Sequence, residues 1–188
     1  MPDSNPSLCV LGLDPGLQTT GYAVLGHADG KYIVHEAGVI RSTVGSAVAD
    51  LPERLQSLYD SLVEVLKQWR PAAMAVEQIY SHYDHPRTAV LMAHARGCYF
   101  LAGAQAGIPV VSYPSTSVKK TVTGHGRATK EQMQYAVMRE LGLAKLPEPH
   151  DVADALAVAL CHAYTSNTLA PSNIASKGIN RSALLGEE

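Results

Sequence analysis

Four carboxylates stand in apolar company. Asp14 closes the run VLGLD (residues 10–14), and Glu77 closes MAVE (residues 74–77). Each run reads as a strand buried on both faces, and such strands do not ordinarily finish on a charge. Asp151 and Asp154 lie three apart in HDVADALAVAL (residues 150–160), so both project from one side of a helix that is otherwise Val, Ala and Leu. Each acid alone has a local explanation. Asp14-Pro15-Gly16 is a turn in which an aspartate can cap its own backbone, and an Asp-x-x-Asp pair complements the free amides and dipole of a helix start. Those explanations do not account for all four together. Gathering four carboxylates is costly unless a cation neutralises them. Hard divalent cations with oxygen ligands do so, and Mg2+ suits a few carboxylates together with substrate phosphate. No GK[ST] phosphate loop points to a nucleotide. The set reads as the ligands of a two-metal phosphodiester hydrolase, in which ions about 4 Å apart stabilise the attacking and leaving oxygens.

Such a site needs elements that bring four distant positions together. Residues 8–14, 21–26 and 31–40 read as consecutive strands, the later two joined as a hairpin at Asp29-Gly30. Leu51, Leu55, Leu58, Leu62, Leu66 and Trp69 recur at helical spacing, with Arg54, Asp60, Glu64 and Lys67 off the apolar stripe, and Pro71 ends the helix. Residues 72–78 form a fourth strand, a helix follows over about 87–106, and residues 108–113 form a fifth strand. Shorter helices start at Ser115 and Thr129, and a last one spans about 151–164. Three meandering strands followed by two helix-connected ones give an α/β fold: a mixed five-stranded sheet with helices on both faces. Ligands of open α/β sheets bind beyond the strands' carboxyl ends. If the first and fourth strands are neighbours, Asp14 and Glu77 share one site.

The chain of 188 residues suits one domain over residues 1–164 and a Ser- and Asn-rich tail over 165–188, expected to be flexible. Its 46% hydrophobic content is that of a globular protein, and a chain this long buries roughly 70% of its unfolded surface without a staple. Cys9, Cys98 and Cys161 lie far apart with no CxxC pair, which argues against a disulfide framework and structural zinc and for a reducing cytoplasm. There is no signal-peptide pattern at the start. Residues 88–107 are apolar, but Arg96 near their middle argues against a membrane span.

The formal net charge of -2 hides an asymmetry. Between Pro86 and Pro147, eight basic residues face only Glu131 and Glu140, a local excess of six positive charges. This suits a side that faces a polyanion. The loop YSHYDHPR (residues 80–87) interleaves Tyr80, His82, Tyr83, His85 and Arg87 without a periodic apolar face. Aromatic residues there can stack on unpaired bases and the cations can meet phosphates. From Ala89 to Ala106 the helix is apolar on nearly every side. The sheet covers one side, and a second copy of the chain is expected on the other, with Ala93, Ala95 and Gly97 allowing close approach and Leu91 and Leu101 as contacts.

LGLDPGLQTTGYAVL, AVEQIY, ARG at 95–97, SVKKTVTGHG and HDVADALAVAL together resemble, in order and spacing, the RuvC-type Holliday junction resolvases over about residues 8–164. The resemblance implies a ribonuclease H-like fold, a homodimer, and Mg2+- or Mn2+-dependent paired nicking of four-way DNA junctions in recombination and repair, with two ions per subunit. It implies a branch-migration complex of the RuvA/RuvB type as a partner. By motif position the catalytic acids fall on Asp14, Glu77, Asp151 and Asp154. The junction-contacting aromatic falls on Tyr80, where the family usually has Phe, and two lysines of the DNA-binding face fall on Lys119 and Lys130. His150 is an additional candidate ligand or proton carrier, or simply a helix-start histidine. An actin- or Hsp70-like ATPase also ends its first strand in an Asp-Gly turn, but needs two such domains. A junction-binding protein without catalysis would not need the four acids.

Overall fold

The computed structural model describes residues 8–42, 51–79 and 86–166. Strands β1 (Cys9–Asp14), β2 (Thr19–Ala28) and β3 (Lys31–Arg41) form an antiparallel meander. The turn between β2 and β3 is the two-residue kind expected: Asp29 and Gly30 both have positive φ, at 52° and 77°, which matches the twist of the flanking strands. A bulge at His35 interrupts the β2–β3 pairing, since Val24 faces Glu36 and Leu25 faces Val34. Helix α1 (Leu51–Trp69) follows, and Arg70, at φ 43°, ends it before Pro71. Strand β4 (Ala73–Glu77), helix α2 (Pro86–Gln105) and strand β5 (Val110–Tyr113) come next. Three helices complete the described residues: α3 (Ser115–Thr123), α4 (Lys130–Glu140) and α5 (His150–Ser166). Thr129 caps α4 rather than opening it, in a reciprocal capping box with Gln132.

The sheet order is β3-β2-β1-β4-β5, with β1–β4 and β4–β5 parallel. The first and fourth strands are therefore neighbours, as the shared site requires. Alternation along each strand divides the core in two. Leu11, Leu13, Met74 and Val76 face α1 and α2, where Leu58, Leu62 and Tyr99 meet them. Val10 and Ala75 face the other way, toward α3, α4 and α5. The same period of two turns Asp14 and Glu77 to the α5 face.

Three expectations are corrected. Arg54 is not on the solvent side of α1: it is 4% exposed and donates to the Leu17 carbonyl and the Ser42 hydroxyl. Ala95 is fully buried inside the chain, so it is not part of an external face. The last helix continues to Ser166, with the Thr165 and Ser166 hydroxyls donating to carbonyls of its final turns. The rest of the predicted tail and most of the Tyr80–Arg87 loop lie outside the described residues. Among the described residues no helix is long and apolar enough to cross a membrane.

Candidate active site

The site begins with two glycines. In β1 and β2, Gly12 and Gly21 let α5 lie directly on the sheet backbone. A Cβ on Gly12 would fall 2.3 Å from the Ala155 carbonyl oxygen, and one on Gly21 would fall 1.9 Å from that of Asp151. Gly21 pairs with Asp14 in the β1–β2 register. The N-terminal end of α5, with Asp151 and Asp154, is thereby held over the end of β1. Leu13 pairs with Val76 across the parallel β1–β4 ladder, which sets Glu77 beside Asp14.

The electrostatics show how near the four acids are. Burial, and then the charges of Glu77, Asp154 and Asp151, push the Asp14 carboxyl well above the usual range. A hydrogen bond between the Asp14 and Glu77 side chains favours a protonated Asp14 donating to an ionised Glu77. Burial raises Glu77 too, and Asp154 adds to this, while a Ser115 hydrogen bond and Lys119 oppose it. Asp154 is raised by burial and by Asp151, and held back by Lys130, His150 and Lys119. The acids thus stand within electrostatic reach of one another. Among the described residues, however, no three His, Cys, Asp or Glu side chains form a cluster that could hold a metal ion as they stand.

The structure brings Asp14, Glu77, Asp151, Asp154, Lys119 and Lys130 together at the carboxyl ends of β1 and β4. His150 is exposed at their margin. Arg87 is exposed at the start of α2, and Tyr80 lies outside the described residues. One contributor escaped the sequence reading. Ser115 opens α3 directly after β5, whose Tyr113 pairs with Glu77. A hydroxyl two residues past a strand that adjoins a candidate acid is the signal that could have found it.

A mixed five-stranded sheet that carries acids on two adjacent strand ends, and a helix laying two more over them, defines a ribonuclease H-like nuclease. The model of the family described as "Crossover junction endodeoxyribonuclease RuvC" matches residues 10–162. A crossover junction endodeoxyribonuclease RuvC of Rhodopirellula baltica is 52% identical over 159 residues, covering 85% of this chain and 88% of the relative. One from Pelotomaculum thermopropionicum is 46% identical, covering 84% of this chain and 93% of that one. Thermus thermophilus RuvC, solved in complex with Holliday junction substrate, superposes with a TM-score of 0.76 at 34% identity, covering 85% of this chain and 94% of that one. The chain belongs to the RuvC family of crossover junction endodeoxyribonucleases.

Proposed function

We propose that the chain is a metal-dependent endonuclease that resolves four-way (Holliday) DNA junctions by paired symmetric nicks during homologous recombination and DNA repair. The observation that carries this reading is that Asp14, Glu77, Asp151 and Asp154 stand within electrostatic reach of one another at the carboxyl ends of β1 and β4, with Lys119 and Lys130 beside them. The donor set fits Mg2+ or Mn2+, two ions per subunit. All four ligands are hard oxygen donors, and their mutual repulsion is what a bound cation relieves. When bound, such ions stabilise charge on the attacking and leaving oxygens.

The chain's own residues do the rest. The half-buried carboxylates fix the place where the scissile phosphate must lie. Lys119 and Lys130 offer ammonium groups to phosphates at its rim, where they add sequence-independent affinity. Tyr80 stacks on a base exposed at the crossover, and Arg87 meets backbone beside it. A second copy packs on the outer stripe of α2, where Val90 and Leu101 are 56% and 53% exposed and Gly97 has open space around its Cα. Two-fold symmetry then presents two sites to a substrate that needs two nicks. Free cysteines suit a cytoplasmic location, and a branch-migration complex of the RuvA/RuvB type would deliver the junction.

Incubation with a labelled synthetic four-way junction and with linear duplex of the same sequences tests this reading. Paired nicks on opposite strands of the junction, none on the duplex and none with chelator are expected. Equal cutting of duplex and junction, or cutting that persists in chelator, would overturn it.

A further inference from the structure

Helix α2 lies on the sheet face opposite the carboxylates, yet it reaches both strand ends that carry them. Arg96 and Tyr99 are three apart and share one side of the helix. Tyr99 is fully buried, and its hydroxyl lies 2.5 Å from that of Thr20, itself fully buried. Thr20 spends its one proton on the Gly16 carbonyl at 2.8 Å and accepts from the Gly16 amide at 3.1 Å. Tyr99 is therefore the donor of the remaining bond. It closes the turn that begins two residues after Asp14.

Arg96 acts on the other strand. Its Nε donates to the main-chain carbonyl of Glu77 at 3.3 Å, and its Nη2 donates to the Ser112 hydroxyl of β5 at 2.7 Å. The guanidinium sits over Phe100, 4.3 Å from the ring centroid, which fixes its plane. Among the described residues no carboxylate pairs with it in a salt bridge. A half-buried arginine whose donors go to a carbonyl and a hydroxyl is placed for geometry rather than for charge.

We propose that α2 is a brace for the acid site: Tyr99, through Thr20, and Arg96, through the Glu77 carbonyl and Ser112, are positioning residues that fix Asp14 and Glu77 relative to one another. The inference rests on the reading of those acids as metal ligands, and outer partners of ligands govern affinity as well as rate.

The test is Mn2+ binding to the DNA-free protein, followed by paramagnetic resonance of free Mn2+ and paired with thermal melts, for wild type, Tyr99→Phe, Arg96→Gln and Arg96→Lys. Each variant is expected to bind Mn2+ on the order of tenfold more weakly, with a melting temperature close to that of wild type for Tyr99→Phe. Arg96→Gln separates positioning from charge. Removing a cation near the acids would by itself tighten Mn2+ binding, whereas a lost brace weakens it. Arg96→Lys keeps the charge but not the two-point fork, so it should resemble Arg96→Gln, and it carries the test if Arg96→Gln does not fold. Variants that melt earlier yet bind Mn2+ like wild type would make both residues merely structural and overturn the brace. A wild type that binds no Mn2+ would instead overturn the reading of the acids, and the brace with it.

Discussion

Asp14 shows what the fold imposes on one residue. Its carboxyl is raised chiefly by burial and then by three neighbouring acids, so metal-free protein holds it where ionisation is unfavourable. A carboxyl whose folded pKa lies above its unfolded one supplies stability at low pH that is lost as pH rises through the folded value. Asn at this position keeps the shape and removes the charge. Asp14→Asn should therefore raise the stability of metal-free protein by about 1 kcal/mol or more near pH 8, with the gain shrinking as pH falls through the folded value and vanishing only below about pH 3, where Asp14 is protonated in both states. Chemical denaturation with chelator at a series of pH values checks this. A pH-independent difference would mean that Asp14 does not titrate in a crowded acid site. Asp14 and Glu77 were legible in the sequence because each ends an apolar run, and a charge there needs a reason. Arg54 was not. Its spacing places it beside the leucine stripe of α1, and only the contact with the Leu17 carbonyl shows that the flank of that helix is covered.

At the scale of elements, the register of β1 against its neighbours and the seat of α5 decide the site. The five strands and five helices of the described residues were readable from period and punctuation. The pairing of β1 with β4 was inferred only as a condition, because strand order is a long-range fact that no local pattern carries. The role of Gly12 and Gly21 was likewise invisible, since a glycine in a strand reads as weakness until the helix resting on it is seen. Gly21→Ala should push α5 away from Asp14, because the added methyl would fall 1.9 Å from the Asp151 carbonyl oxygen. The backbone must shift, and overpacking of this kind costs about 1–3 kcal/mol. Junction binding should survive in the folded fraction while cleavage falls by more than the loss of folded protein explains. Denaturant melts alongside single-turnover cleavage check this, and a fall in stability with cleavage per folded molecule unchanged would show that the seat of α5 does not set the site.

At the scale of the whole molecule, the proposed dimer would present two such sites to one substrate. Helix α2 was read as apolar on nearly every side with the sheet covering one of them, and Ala95, Tyr99 and Ala102 take that inner side with Leu91 packed against it, so that only Ala95 is corrected as a residue of the outer face. Val90 and Leu101 remain on the outer stripe. Leu101→Glu should thus shift the proposed dimer of two 20.0 kDa chains toward monomer in sedimentation at micromolar concentration, leaving the melting temperature of the protomer nearly unchanged. A variant that sediments like wild type would move the interface elsewhere. The central claim is that the four carboxylates form one centre that cuts junction DNA. Single-turnover cleavage of a four-way junction by Asp14→Asn, Glu77→Gln, Asp151→Asn and Asp154→Asn, measured beside junction binding, tests it most directly. Loss of a ligand removes several kcal/mol of charge stabilisation, so each variant should bind the junction yet cut it roughly 10³-fold more slowly or worse, and any one that binds and cuts near the wild-type rate would contradict the account.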